Sequence, residues 1–129
     1  GLQPTLLVHD AAAAVPEGLE HTARLPLARD AAPGAGLPLA GVMDALAARE
    51  CNEILLESGP TLAGEVLRAG LADELIVYIA PKLLGSDARP LVTLSLAEMA
   101  SAIDLEPVDQ RRIGNDLRLR FAVPGRPSA

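Results

Sequence analysis

The strongest constraint on the fold is an apolar run in the second half of the chain that ends at a proline. Residues 74–80 (Glu-Leu-Ile-Val-Tyr-Ile-Ala) are apolar and partly β-branched after Glu74, and Pro81, which has no amide hydrogen, ends their pairing. This run therefore predicts a strand. A shorter apolar run at residues 54–56 is bounded by polar residues and predicts a central strand covered on both faces.

The stretch between these two runs has the signals of a helix. Pro60 suits the first helical position and Gly70 suits the C-terminal cap, which predicts a helix over residues 60–69. A strand, a helix and a strand in this order form a parallel pair with a right-handed crossover. The apolar side chains expected to point inward are Leu62, Val66 and Leu67.

The first third of the chain has weaker patterns. We expect strands at residues 4–8 and 21–27 and a loop at residues 30–38. From Leu39, apolar residues recur at spacings of three and four, which predicts an amphipathic helix ending near Glu50.

The end of the chain has the pattern of a hairpin. Two extended runs, at residues 103–113 and 117–123, are joined by Gly114-Asn115-Asp116. A short helical or irregular segment is expected before them, near residues 94–99. The whole sequence predicts an α/β fold with a mainly parallel central sheet, flanking helices and an antiparallel C-terminal hairpin.

Composition and charge exclude several kinds of function. The single cysteine, Cys51, excludes a disulfide framework and a multi-cysteine zinc site within the chain, and a reducing cytoplasm is the compartment we expect. The net charge of −6 argues against a nucleic-acid or anionic-membrane surface, because both need clustered lysine and arginine. No run approaches the ~20 apolar residues of a membrane span. Because the chain as a whole is acidic, any bound phosphate must be held by groups at one local site.

The chemistry is expected at the glycine-bearing turn after residues 54–56. Such a turn, leading into a helix, offers free amide hydrogens and the positive end of the helix dipole to a phosphate. The turn is not a P-loop, because Glu65 and Val66 stand where lysine and a hydroxyl residue are required, and it lacks the G-x-G-x-x-G pattern. Taken alone, it fits a packing loop as well as a phosphate site. It reads Glu57-Ser58-Gly59-Pro60-Thr61-Leu62-Ala63-Gly64-Glu65.

A longer string of residues is more specific. The turn is continued by Ala69-Gly70-Leu71-Ala72-Asp73-Glu74-Leu75 and by Ala80-Pro81-Lys82-Leu83-Leu84-Gly85. Together these blocks closely resemble the C-terminal reductase domain of the bifunctional riboflavin-biosynthesis deaminase/reductases, the RibD family. The resemblance covers residues 54–91 most strongly and extends through the hairpin. It implies a dihydrofolate-reductase-like fold.

The resemblance implies a hydride-transfer reaction. In this family the domain uses NADPH to reduce the ribosyl group of 5-amino-6-(5-phosphoribosylamino)uracil to a ribityl chain. By the family pattern, Glu57 contacts the substrate, while no catalytic residue and no metal ligand are assigned within the chain. The residues that the pattern places at the cofactor phosphates are Gly59, Pro60, Thr61, Leu62, Ala63, Gly64 and Glu65.

The resemblance also implies that the chain is part of a larger protein. Family members begin with a zinc deaminase domain, whose H-x-E and P-C-x-x-C motifs do not occur here, and their reductase domain begins several elements earlier. We therefore expect residues 1–129 to be an incomplete single domain that carries part of the cofactor and substrate sites and turns over no substrate alone. The family further implies a homodimer, expected here through the C-terminal strands.

Two other functions stay open at this point. One is a related pyrimidine or pterin reductase of the same fold, and the other is a folded fragment that self-associates without binding a cofactor. Of the other polar residues, the histidines are expected to be satisfied surface or core residues, Lys82 to be solvated, and the hairpin arginines to face water or a partner, with Cys51 an ordinary packing residue. These residues are His9, His21, Lys82 and the hairpin arginines Arg111, Arg112, Arg118 and Arg120.

Overall fold

The computed structural model describes residues 5–19, 21–30 and 36–124, which fall into two compact units. The first unit spans Gly1–Leu55 and the second spans Leu56–Ala129. A two-stranded parallel sheet lies in the first unit and a three-stranded antiparallel sheet in the second. The α/β class and the antiparallel ending are confirmed.

The described residues of the first unit form two strands and a helix. Strands β1 (Leu6–Asp10) and β2 (Ala23–Leu27) pair in parallel, and helix α1 spans Leu39–Ala47. All three elements confirm the sequence predictions within a few residues. Residues 31–35 of the expected loop, and residue 4 of the first predicted strand, lie outside the described residues.

The second unit contains the helix and strands that the motif string covers. Helix α2 spans Pro60–Arg68 and leads into strand β3 (Glu74–Ile79). Strands β4 (Glu106–Ile113) and β5 (Asp116–Ala122) follow, and the spatial order of the sheet is β3-β5-β4. A short 3₁₀ helix at Met99–Ser101 precedes β4, as expected for a short helical segment there.

The ends of α2 follow the sequence signals. Pro60 occupies the first helical position. At the other end Gly70 has a φ of 66°, and its amide hydrogen bonds to the Leu67 carbonyl at 3.1 Å. The Leu71 amide bonds to the Val66 carbonyl at 3.1 Å, which completes a Schellman cap. Glycine is favoured at this position because a left-handed backbone brings a Cβ too close to the carbonyl.

The hairpin turn is also as predicted. Ile113 lies opposite Asp116, so two residues, Gly114 and Asn115, form the connection. Gly114 has a φ of 60° at the first of these positions, as in a type II′ turn, whose twist matches that of the flanking strands.

Ion pairs connect all three strands of this sheet. Arg118 on β5 bonds to Asp109 on β4 at 2.7 Å, and Arg120 on β5 bonds to Glu74 on β3 at 2.8 Å. Arg111 also contacts Asp109, at 2.9 Å. Partial desolvation raises the pKa of Asp109, but its bonds to Arg118 and the charge of Arg111 outweigh this and hold that pKa below its usual value. Three of the four hairpin arginines therefore have acidic partners within the sheet.

The apolar core of the second unit is small. Among the described residues, Val66 in α2 and Val123 after β5 are the buried apolar side chains, at 6% and 9% exposed. The Val123 amide bonds to the Asp73 carbonyl at 2.8 Å, which joins the end of β5 to the start of β3. Leu67 is half-buried as expected, but the prediction for Leu62 is wrong, since it is 41% exposed. Burial is concentrated in the middle of α2, and its first turn stays open.

The predicted central strand is wrong in this structure. Residues 54–56 form no strand, and Leu55 is 76% exposed. The predicted parallel pair with residues 74–80 is consequently absent among the described residues, where parallel pairing is limited to β1 and β2 in a separate sheet. Three apolar residues cannot remain a strand without ladder hydrogen bonds to a neighbour, and an apolar run does not specify that neighbour.

In the part of the chain that the structure describes, no helix has the length and hydropathy needed to cross a membrane.

Candidate functional site: the turn before α2

The turn that leads into α2 exposes backbone amides at the helix N-terminus. Gly59 is the N-cap residue, with an extended backbone (φ −72°, ψ 169°). The first hydrogen bond of the helix runs from the Ala63 amide to the Gly59 carbonyl at 3.2 Å. The amides of Thr61 and Leu62 therefore precede the regular helical ladder, and Pro60 has no amide hydrogen. These two amides point out of the helix end, along the positive end of its dipole.

No side chain of the described residues caps this end of α2. Gly59 has no side chain, and the Ser58 hydroxyl donates a weak bond of 3.3 Å to the Gly59 carbonyl instead of accepting from a helix amide. A serine or aspartate at the N-cap position would normally occupy one of these amides. The turn is thus available to an external acceptor.

Space around Gly59 is open as well. A Cβ at this position would meet no atom within 4 Å, and both Gly59 and Thr61 are exposed. The φ of Gly59 does not require glycine. Its lack of a side chain instead leaves room for a ligand to approach the backbone closely, as at other phosphate-binding turns.

Gly64 is different, because its missing side chain is used inside the protein. It is buried, and a Cβ there would lie 2.0 Å from the Thr93 carbonyl oxygen and 2.8 Å from the Thr93 carbonyl carbon. The Thr93 amide also bonds to the Pro60 carbonyl at 2.9 Å. The structure therefore gives Gly64 a packing role, and its contact with a cofactor stays a prediction.

Glu65 has a partner on its own helix. Its carboxylate is bonded by the Arg68 guanidinium one turn later, and this hydrogen bond lowers the pKa of Glu65. The Glu65 side chain is 46% exposed, so the pair is a surface ion pair of small energetic value. This contact accounts for Glu65 without a ligand, and its predicted role at the cofactor remains untested.

Glu57, the predicted substrate contact, is two residues before the N-cap. It is exposed and lies in an irregular stretch that also includes Ser58. A carboxylate in this position can accept hydrogen bonds from hydroxyl or amino groups of a ligand. The structure thus brings Glu57 and the open end of α2 together through their closeness in the chain.

The other candidates have structural partners or open surroundings. The His9 ring nitrogen Nδ1 donates to the Asp10 carbonyl at 2.9 Å, and within the described residues no group of histidine, cysteine, aspartate and glutamate could hold a metal ion. Lys82 is exposed, as expected. Cys51 is exposed too, so the prediction that it is an ordinary packing residue is wrong.

Thr93 was not identified from the sequence. Its one signal was indirect: glycine inside a helix costs about 1 kcal/mol relative to alanine, so Gly64 indicates a close approach by some other backbone. The residue that approaches is distant in the chain, and no motif marks it.

Comparison with known proteins decides the family. The family model described as the RibD C-terminal domain matches residues 3–119 of the chain. The chain belongs to the RibD C-terminal domain family. Among solved structures, that of Acinetobacter baumannii RibD, form 1, superposes with a TM-score of 0.75 at 25% identity, covering 92% of this chain and 31% of that one. The predicted fold class is thereby confirmed.

Relatives of this RibD C-terminal domain include a protein named for riboflavin biosynthesis and one named as a reductase. The riboflavin biosynthesis protein RibD of Escherichia coli strain K12 is 52% identical over 86 residues, covering 66% of this chain and 23% of that protein. The 5-amino-6-(5-phosphoribosylamino)uracil reductase of Buchnera aphidicola subsp. Acyrthosiphon pisum is 38% identical over 71 residues, covering 54% of this chain and 34% of that protein. The chain thus spans about a quarter to a third of the length of these relatives.

Proposed function

We propose that this RibD C-terminal domain takes part in riboflavin biosynthesis, in the NADPH-dependent reduction of the ribosyl group of 5-amino-6-(5-phosphoribosylamino)uracil to the ribitylamino product. Membership of the family and the printed names of its relatives support the reaction. The observation within the chain that carries the proposal is the uncapped N-terminal turn of α2, with open space at Gly59.

The turn fits the diphosphate of a nicotinamide dinucleotide. The amides of Thr61 and Leu62 supply two hydrogen-bond donors, the Thr61 hydroxyl can supply a third, and the helix dipole favours the negative charge. The net charge of −6 does not oppose this, because such a site needs no lysine or arginine cluster. When bound, NADPH supplies the hydride, and the role of this chain's turn is to bind and orient the dinucleotide.

Glu57 would act on the substrate side of the same turn. Its carboxylate accepts hydrogen bonds from ribose hydroxyls or from the amino group of the pyrimidine, which fixes the position of the sugar relative to the cofactor. Because Glu57 is exposed, no other group of the protein has to be displaced for this contact.

The proposal is tested by a fluorescence titration of NADPH against the wild-type chain and its Gly59→Val variant. The wild type is expected to bind and the variant to bind much more weakly. No binding by either protein would favour a non-catalytic fragment, while equal binding by both would place the dinucleotide away from the turn.

We also propose a cytoplasmic homodimer formed through the C-terminal strands. β4 lies at one edge of the three-stranded sheet and exposes Val108 and Ile113, at 50% and 48%. An exposed edge with apolar side chains favours pairing with another chain. Light scattering is expected to give twice the monomer mass of 13.4 kDa, and a monomer mass at high protein concentration would contradict the dimer.

A further inference from the structure

The long connection after β3 is attached to the proposed cofactor turn at one residue. Residues 80–98 contain no helix or strand, although they separate β3 from the 3₁₀ helix. Connections of this length without secondary structure are uncommon in compact domains and are usually either functional or linker segments. Two of its backbone hydrogen bonds close local turns, whereas that of Thr93 reaches the Pro60 carbonyl in the first turn of α2 at 2.9 Å.

The attachment is close and depends on backbone atoms. The Thr93 amide donates to Pro60, and the Thr93 carbonyl lies against Gly64, where a Cβ would come within 2.0 Å of its oxygen. The contact therefore covers the face of α2 that Pro60 and Gly64 share, four residues apart. The Thr93 side chain is exposed, so the contact needs the backbone and not the threonine hydroxyl.

The carbonyl that Thr93 binds belongs to the same peptide group as one of the proposed ligand donors. The Pro60 carbonyl and the Thr61 amide are the two ends of one planar unit. A hydrogen bond to the carbonyl fixes the direction in which the amide points, and it also polarises that amide, which makes it a stronger donor. Helix ends fray, and the Thr93 bond restrains this peptide group in addition to the hydrogen bonds of the helix itself.

We propose that Thr93 is a positioning residue for cofactor binding, whose backbone amide holds the Pro60–Thr61 peptide group so that the Thr61 amide meets the diphosphate of the dinucleotide. The inference rests on the proposed function. It extends the cofactor site to Thr93 alone within the connection, and it accounts for Gly64 as the residue that allows the contact.

The test compares two substitutions at Thr93 by titration with NADPH. Thr93→Pro removes the amide hydrogen and is expected to weaken NADPH binding about tenfold. Thr93→Ala keeps the amide and loses only an exposed hydroxyl, so its affinity should stay within twofold of the wild type. Equal affinities in all three proteins would overturn the inference, as would an equal loss in both variants.

A second measurement needs no variant and so does not depend on whether Thr93→Pro folds. Coupling between two sites is reciprocal, so a contact that favours NADPH must itself be strengthened when NADPH binds. Hydrogen exchange of the Thr93 amide should slow about tenfold at saturating NADPH. A contact that is merely structural would slow no more than the Val123 amide, which bonds to the Asp73 carbonyl away from α2 and reports the general stabilisation by a bound ligand.

The two measurements separate this inference from the proposed function. If the wild type binds no NADPH, both are wrong. If the wild type binds NADPH and Gly59→Val does not, the proposed function stands. If in that case Thr93→Pro also binds normally and exchange of the Thr93 amide slows no more than that of Val123, the role of Thr93 is refuted.

Discussion

The Gly64→Ala variant is expected to be destabilised by about 3 kcal/mol, against the usual preference of helices for alanine. In an open helix, alanine would gain about 1 kcal/mol over glycine. Here the new Cβ would lie 2.0 Å from the Thr93 carbonyl oxygen, and the obstruction is backbone that cannot rotate away. The connection must be displaced from α2, with loss of the Thr93–Pro60 bond, and overpacking of this kind costs about 1–3 kcal/mol or more.

Urea unfolding followed by tyrosine fluorescence measures the loss of stability in the second unit, which contains both Gly64 and the reporter. Tyr78 is the chain's one tyrosine and lies on β3, and there is no tryptophan to obscure it. Gly85→Ala is the matched control, because a Cβ there meets nothing within 4 Å and the change should stay within about 0.5 kcal/mol. If Gly64→Ala proves as stable as the wild type or more so, the packing of Thr93 on α2 is wrong.

The Gly59→Val variant is expected to lose NADPH affinity by about tenfold to a hundredfold, while its stability falls by no more than about 1 kcal/mol, the cost of replacing glycine by valine at an N-cap. Valine at Gly59 meets no protein atom within 4 Å at its Cβ, and the backbone there is extended, which suits a β-branched residue. The side chain would instead occupy the space through which a diphosphate approaches the Thr61 and Leu62 amides. A steric cost of about 1.4–2.8 kcal/mol on binding corresponds to this loss.

The control for this variant is Gly85→Val. Gly85 is also exposed and surrounded by open space, but it lies in the connection after β3 and away from the helix N-terminus in the chain. Its NADPH affinity should match that of the wild type. A similar loss in both variants would indicate a general effect of valine in an exposed turn, and the assignment of the dinucleotide to the α2 turn would fail.

Features controlled by neighbouring residues were predicted well from the sequence. Pro60 and Gly70 act within one turn of the ends of α2, so its bounds could be read from these two positions. The Gly114-Asn115 turn likewise requires a particular backbone conformation of its own residues. The glycine-bearing turn at Gly59 was located for the same reason, and its open, uncapped amides agree with the expectation.

Features that depend on distant partners were predicted poorly. Residues 54–56 have the composition of a buried strand, but a strand exists only through hydrogen bonds to neighbours, and the sequence does not state which neighbours pair with it. Leu62 has the helical spacing of an inward residue, yet nothing in the sequence shows that burial ends before the first turn of α2. Thr93 was missed because its backbone, and not its side chain, makes the contact.

The central claim is that the first amides of α2 meet the diphosphate, and an NMR titration of the ¹⁵N-labelled chain with NADPH tests it most directly. Large, saturable shifts are predicted at the Thr61 and Leu62 amides, with none at Gly114 in the hairpin turn. Saturable binding that shifts amides elsewhere and leaves Thr61 and Leu62 unchanged would contradict the claim.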